Sequence, residues 1–240
     1  MKIVVLQHDP DDGPERLGEW LVEAGAELQI VRADLGEQVP ADTTAFDGLI
    51  SLGGSMGAHD DEVAPWLPAT RALLAAAVAD GTPTWGICLG AQLLAAATGG
   101  VVGPGADGPE VGAYLTAKRD AAEQDPLLLA TPMTPDVMHC HFDVISTLPP
   151  GAVLLMAGTG YLNQAFRIGP KAWGFQFHIE AGAATLRAWA EAEGLSGRLG
   201  PELDEAEENM GFVWRDAAHR FVGLRRGAAG AGTRLPLVTP

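Results

Sequence analysis

Cysteine is nearly absent from this 240-residue chain, with only Cys88 and Cys140 present. Two thiols cannot make a disulfide framework at this length, so the fold must be held by burial. Long apolar runs are also missing. The longest, ALLAAAVA at 72–79, falls well short of the roughly 18–20 residues that span a membrane. The run after Met1 is too short for a signal peptide. Basic charge is scarce as well, with 15 Lys and Arg against 31 Asp and Glu and a net charge of -16. Such a surface repels phosphate backbones and excludes nucleic acid as a natural partner. These absences describe a cytoplasmic chain with reduced thiols. Hydrophobic residues make up 47%, enough for a sizeable core.

Residues 2–7 (KIVVLQ) read as a buried strand, and His8-Asp9-Pro10 as its exit loop. Leu17, Trp20, Leu21 and Ala24 recur at helical spacing, and Gly25 stops that helix. Residues 28–33, 46–54 and 83–87 read as further strands, with a helix over 66–79 stopped by Asp80-Gly81. Strands alternating with helices predict a mostly parallel sheet flanked by helices, an α/β fold of flavodoxin-like kind. Ligands of such sheets bind at the carboxyl ends of the strands, where Gly53-Gly54 and Cys88 fall.

The pattern changes after Gly99. Residues 110–119, 136–140, 152–157, 164–168 and 172–177 read as strands with few helices between them, so part of this half should pair antiparallel. Helices follow over about 181–193 and 202–224. The second has an apolar stripe of Leu203, Ala206, Met210, Val213, Trp214, Ala217, Phe221 and Leu224. The stripe should dock on the core, or on a second copy to make a homodimer. The expected division is an α/β domain over 1–200, an amphipathic helix over 201–226 and a flexible tail over 227–240.

Cys88 carries the sharpest chemical signal. It follows the strand end TWGI and precedes a helical run, with Gly86 and Gly90 on either side. A side chain displayed on a strand-to-helix turn needs small neighbours, which is the logic of a nucleophile elbow. The helix N-terminus favours thiolate over thiol. The amide of Leu89 is placed to face an oxyanion formed at the sulfur. A thiolate nucleophile also needs a base that protonates the leaving amine. His178, at the end of the strand WGFQF, suits both duties. Glu180, two residues on, shares its face and can orient the ring.

G-I-C-L-G-A-Q at 86–92, F-Q-F-H-I-E at 175–180 and I-S-L-G-G-S-M-G at 50–57 together resemble the motifs of class I glutamine amidotransferases. The resemblance covers about residues 1–195. It is closest to the stand-alone, GMP-synthase-like branch, through Met56-Gly57, Asp60, Pro65-Trp66-Leu67, His141-Phe142-Asp143 and Asn163-Gln164-Ala165-Phe166. It implies that Cys88, His178 and Glu180 form a triad acting on glutamine or a γ-glutamyl compound. It implies an oxyanion hole from Gly54 and Leu89. Gly53, Gln92, Phe142 and Asp143 would meet the substrate. No cofactor is implied.

Two positions depart from that pattern. Ile179 replaces the usual proline of H-P-E, and an extended isoleucine should preserve the geometry. Phe142 replaces a glycine, and its ring should reshape the pocket. His139-Cys140-His141 is too tightly spaced for the usual zinc pattern, so no metal is expected. No synthase module follows in the sequence, so ammonia would pass to a separate synthase subunit, or the enzyme would be a plain γ-glutamyl hydrolase. The competing reading is a catalytically weak or inactive regulatory subunit.

Overall fold

A computed structural model describes residues 1–224. Its strands are β1 (Lys2–Gln7), β2 (Glu27–Arg32), β3 (Gly48–Ser51), β4 (Thr84–Ile87), β5 (Val101–Pro104), β6 (Glu110–Leu115), β7 (Ala117–Lys118), β8 (Asp136–His141), β9 (Asp143–Thr147), β10 (Val153–Ala157), β11 (Ala165–Ile168) and β12 (Ala172–Phe175). Its helices are α1 (Glu15–Glu23), α2 (Leu67–Asp80), α3 (Leu89–Ala97), α4 (Ala183–Ala192) and α5 (Leu203–Gly223). The flexible tail expected over 227–240 lies outside the described residues.

The central sheet runs β2-β1-β3-β4-β12-β11-β10-β7. From β2 to β12 all neighbours are parallel, while β11, β10 and β7 continue antiparallel. β3, β4 and β12 are buried at every position. Helices on both faces of a parallel sheet produce that near-continuous burial. The carboxyl ends of β1, β3, β4 and β12 therefore form one edge, and Gly53-Gly54, Cys88 and His178 lie just beyond it.

Two cores flank the sheet. One holds Trp85, Phe175, Phe177, Met210, Trp214 and Phe221. The other holds Leu6, Leu49, Leu74, Leu93 and Phe166. α5 thus seals one face of its own chain. Trp214 Nε1 donates to the Asp136 carbonyl at 3.0 Å, fixing the helix against β8. Each large side chain buried this way contributes about 1.5–3 kcal/mol before entropy.

The structure differs from the sequence reading in three places. The strand expected over 110–119 breaks at Thr116, because β6 pairs with β8 whereas β7 pairs with β10. β5 and β9 pair with each other and were not expected; VVGP and DVIST carry too little alternation to read as strands. The strand expected over 46–54 ends at Ser51, which leaves Gly53 and Gly54 in a loop at the sheet edge.

Candidate active site

Cys88 sits between β4 and α3 with φ 47° and ψ -107°, a backbone region costly for a side-chain-bearing residue. Its amide donates to the Phe175 carbonyl at 2.8 Å, which ties the turn to β12. The flanking glycines are required by space. A methyl on Gly86 would lie 2.5 Å from the Gly90 carbonyl oxygen, and one on Gly90 would collide with the Ser51 carbonyl. The elbow is therefore wedged between β3 and β12, and the fold holds its strain.

His178 leaves β12 and bridges to Met138, its amide donating to the Met138 carbonyl at 2.8 Å. Its Nδ1 lies 2.5 Å from Glu180 Oε1. Glu180 Oε2 accepts from the Ile179 amide at 2.9 Å. That bond uses an N–H that proline would lack, so Ile179 adds an anchor for the carboxylate. The opposite nitrogen, Nε2, is buried without a hydrogen-bond partner, and the ring lines the same cavity as Cys88. Burial alone would lower the His178 pKa. Glu180 and Cys88 outweigh it and hold the ring well above its ordinary value.

The cavity has a volume of about 860 Å³. Gly54, Gln92, Phe142 and Asp143 line it together with Cys88 and His178. Gly53 is buried immediately beneath His178, with no room for a side chain. Leu89 is the first residue of α3, and its side chain packs on Gly54. The structure thus gathers all nine expected positions at one edge. Two take postures the motifs did not foretell. Gln92 Nε2 donates to the Asp143 carbonyl at 2.9 Å, leaving its amide oxygen as the freer end. Phe142 is 47% exposed, so its ring lies at the rim rather than filling the pocket.

Three side chains at this edge were missed. Asp12 is buried at the cavity wall and packs, like the His178 ring, against Gly53. Its Oδ1 has no hydrogen-bond partner. Burial and then Glu180 push its carboxyl well above the usual range, with His178 pulling the other way. Trp189 of α4 packs its ring 4.7 Å from the imidazole of His178 and donates to the Asp11 carbonyl at 3.1 Å. His8 lies beneath Gly54, accepting from Trp66 Nε1 at 3.2 Å, with its own Nε2 2.9 Å from Ser51 Oγ. Burial lowers its pKa to about 4, so it is a neutral strut. Asp12 carried a readable signal, a carboxyl within D-D-G-P just past a parallel strand, although acidic loops usually face solvent.

Six carboxyl side chains line the cavity: Asp9, Asp11, Asp12, Asp60, Asp143 and Glu193. Among the described residues the lining contains no Lys or Arg. Among the described residues no helix is long and apolar enough to cross a membrane.

Residues 15–188 match the family described as glutamine amidotransferase class-I. A glutamine amidotransferase-like protein of Salmonella typhimurium, YfeJ, is 28% identical over 86% of this chain and 84% of its own. A glutamine-hydrolyzing GMP synthase of Porphyromonas gingivalis is 34% identical over 60% of this chain, but the match spans only 26% of the synthase. A gamma-glutamyl-L-1-hydroxyisopropylamide hydrolase of Pseudomonas is 29% identical over 67% of this chain and 54% of its own. The crystal structure of a glutamine amidotransferase from Thermotoga maritima superposes with a TM-score of 0.81 at 28% identity, covering 92% of this chain and 98% of that one.

Proposed function

The chain belongs to the class I glutamine amidotransferase family, and from that premise we propose that it hydrolyses the side-chain amide of glutamine or of a γ-glutamyl amine through a thioester on Cys88. One observation carries the reading: a strained cysteine at a helix start shares a cavity with a histidine whose far nitrogen is held by a buried carboxylate.

The raised His178 pKa favours a thiolate–imidazolium pair. The Cys88 sulfur attacks the amide carbon, and the carbonyl electrons move onto oxygen. The Leu89 and Gly54 amides face that oxyanion. As the tetrahedral adduct collapses, the C–N bond breaks and His178 gives its proton to the departing nitrogen. Neutral His178 then takes a proton from water, the hydroxide attacks the thioester, and glutamate leaves as the sulfur recovers its electron pair. Glu180 holds the imidazolium, Gln92 and Asp143 position the substrate, and Phe142 guards the rim.

The acidic lining supports a narrower substrate class. A leaving amine that carries a second, cationic group suits a cavity rich in carboxylates and, among the described residues, without Lys or Arg. Such an enzyme acts alone as a γ-glutamyl amide hydrolase. The match to GMP synthase keeps a second arrangement open, in which a separate synthase subunit receives the ammonia. Residues 1–200 form the catalytic unit, and α5 (Leu203–Gly223) braces it. Two free cysteines suit a cytoplasmic setting.

Covalent labelling by a glutamine-mimicking electrophile such as diazo-oxonorleucine tests the central step. The unsubstituted chain should take up one equivalent, detected by intact mass, and Cys88→Ala should take up none. Labelling that survived in the variant would refute the assignment of Cys88.

A further inference from the structure

Away from the triad, β8 places His139 and His141 on one face, with Cys140 on the other. β6 pairs Glu110 directly with His141 and glycine (Gly112) with His139. The three side chains converge between the two strands. His139 Nδ1 lies 3.0 Å from His141 Nε2. Glu110 Oε2 is 3.1 Å from His141 Nε2 and 3.7 Å from His139 Nδ1. All three residues are more than nine-tenths buried.

The hydrogen bonds around the cluster fix where its lone pairs lie. His141 Nδ1 is 3.0 Å from the Asp143 carbonyl oxygen, which can only accept, so Nδ1 carries the hydrogen. In the neutral ring Nε2 is then a bare lone pair, and it faces a carboxylate oxygen at 3.1 Å. His139 Nδ1, at 3.0 Å, faces that lone pair as well, so three buried ligand atoms meet at one point that a hydrogen on His139 or a cation must fill. Gln164 Nε2 donates to the same Glu110 oxygen at 2.9 Å, anchoring the carboxylate from behind. A ring N–H on a backbone carbonyl and a carboxylate held by an amide are the outer partners that metal ligands commonly have.

We propose that Glu110, His139 and His141 bind one divalent transition-metal ion of the zinc class. A triangle with sides of 3.0, 3.1 and 3.7 Å lets an ion lie about 2.0–2.1 Å from each corner, slightly off their plane. Two imidazoles and one carboxylate leave a further position for water. His141 lines the large cavity, which supplies access for ion and water. The ion clamps β6 to β8. It also steadies the Asp143 carbonyl, which receives both His141 and Gln92. The site is independent of the thioester mechanism. Linear spacing argued against a metal at His139 and His141 because the third ligand, Glu110, comes from another strand.

The test uses the full chain carrying Cys88→Ala, so that the nucleophilic thiol cannot bind metal. After chelator treatment it is titrated with Co²⁺ and with Zn²⁺. One equivalent should bind, and the cobalt form should show visible d–d bands without a sulfur-to-cobalt charge-transfer band. His139→Gln and Glu110→Gln should each weaken binding by more than the 10–100-fold typical of losing an outer partner. Should either variant fail to fold, crystals of the unsubstituted chain soaked in Zn²⁺ decide the matter, with an anomalous peak expected between the three side chains. No stoichiometric binding, binding unchanged in both variants, or a peak at Asp12, His178 and Glu180 instead would overturn the site. In the first of those outcomes a hydrogen bond from His139 joins the three groups instead.

Discussion

The edge that carries Cys88 and the β6–β8 pair that carries Glu110 both join histidine to a buried carboxylate, and they do so by opposite means. At the edge each chemical group stands at the end of its own parallel strand. Cys88 follows β4, His178 and Glu180 follow β12, and Gly53-Gly54 follow β3. Each is set by a local motif, and the sheet brings the motifs together. In the β6–β8 pair no local motif exists. Glu110 and His141 meet because an antiparallel register places them opposite one another. The edge also stores backbone strain at Cys88 and leaves Nε2 of His178 unbonded, as a reacting site must. In the β6–β8 cluster the three groups face one another, and outer partners hold His141 and Glu110.

If that contrast is correct, losing a carboxylate has different consequences in the two places. Glu180→Gln should lower kcat/KM by about 10²–10⁴-fold, since the amide cannot stabilise the imidazolium and permits the wrong tautomer. It should also shift the pH profile. Glu180 raises the His178 pKa against the lowering effect of burial, so its removal lets the pKa fall. The imidazolium that protonates the leaving amine exists below that pKa and is lost as pH rises through it. The alkaline limit of activity should therefore move to lower pH. Glu110→Gln should not move that limit. Measured pH–rate profiles of the two variants decide the point, and an unmoved limit in Glu180→Gln would remove the triad from the mechanism.

The glycines sharpen the contrast at smaller cost. Gly90→Ala drives a methyl into the Ser51 carbonyl, a backbone atom that cannot step aside. It should destabilise the chain by about 3 kcal/mol or more, the upper range for overpacking. A methyl on Gly112 of β6 would make only ordinary contacts, but its φ is +123°. Gly112→Ala should cost about 1–2 kcal/mol through backbone strain. Urea unfolding of both variants checks the order. A reversed order would mean that the elbow is not wedged between its neighbours.

The same contrast explains what could be read without coordinates. Gly86 and Gly90 beside Cys88, and the pair His178 and Glu180, lie within a few residues of each other, so sequence spacing encodes their geometry. Strand-and-helix alternation encodes the parallel half of the sheet for the same reason. Asp12 and Trp189 are different. An acid in D-D-G-P reads as solvated, and a tryptophan on an amphipathic helix reads as packing. Their place beside His178 depends on how the loop after β1 and the helix α4 meet at the edge of the sheet. Glu110 was hidden further, because register between distant strands has no local pattern. β5 and β9 were not legible because VVGP and DVIST are short and lack alternation.

The smallest effect expected is the most informative about substrate. The edge's cavity is lined by carboxylates, of which Asp12 and Asp143 have raised pKa values, each first through burial. Asp9, Asp11, Asp60 and Glu193 complete the acidic lining. Three γ-glutamyl amides of equal length separate charge from size: one made with a diamine, one with an alkylamine and one with an ω-amino acid. A single charge pair in a partly wet cavity is worth about 1–4 kcal/mol at 4 Å, so kcat/KM should fall from cation to neutral to anion, by about tenfold per step. The ratio should shrink as salt rises, because the screening length drops from about 10 Å at 0.1 M to about 3 Å at 1 M. Asp60→Asn should narrow it further at low salt. An anionic amide cleaved as well as the cationic one would show that the leaving group never meets these carboxylates, and that the acidity of the cavity is only the acidity of the whole surface.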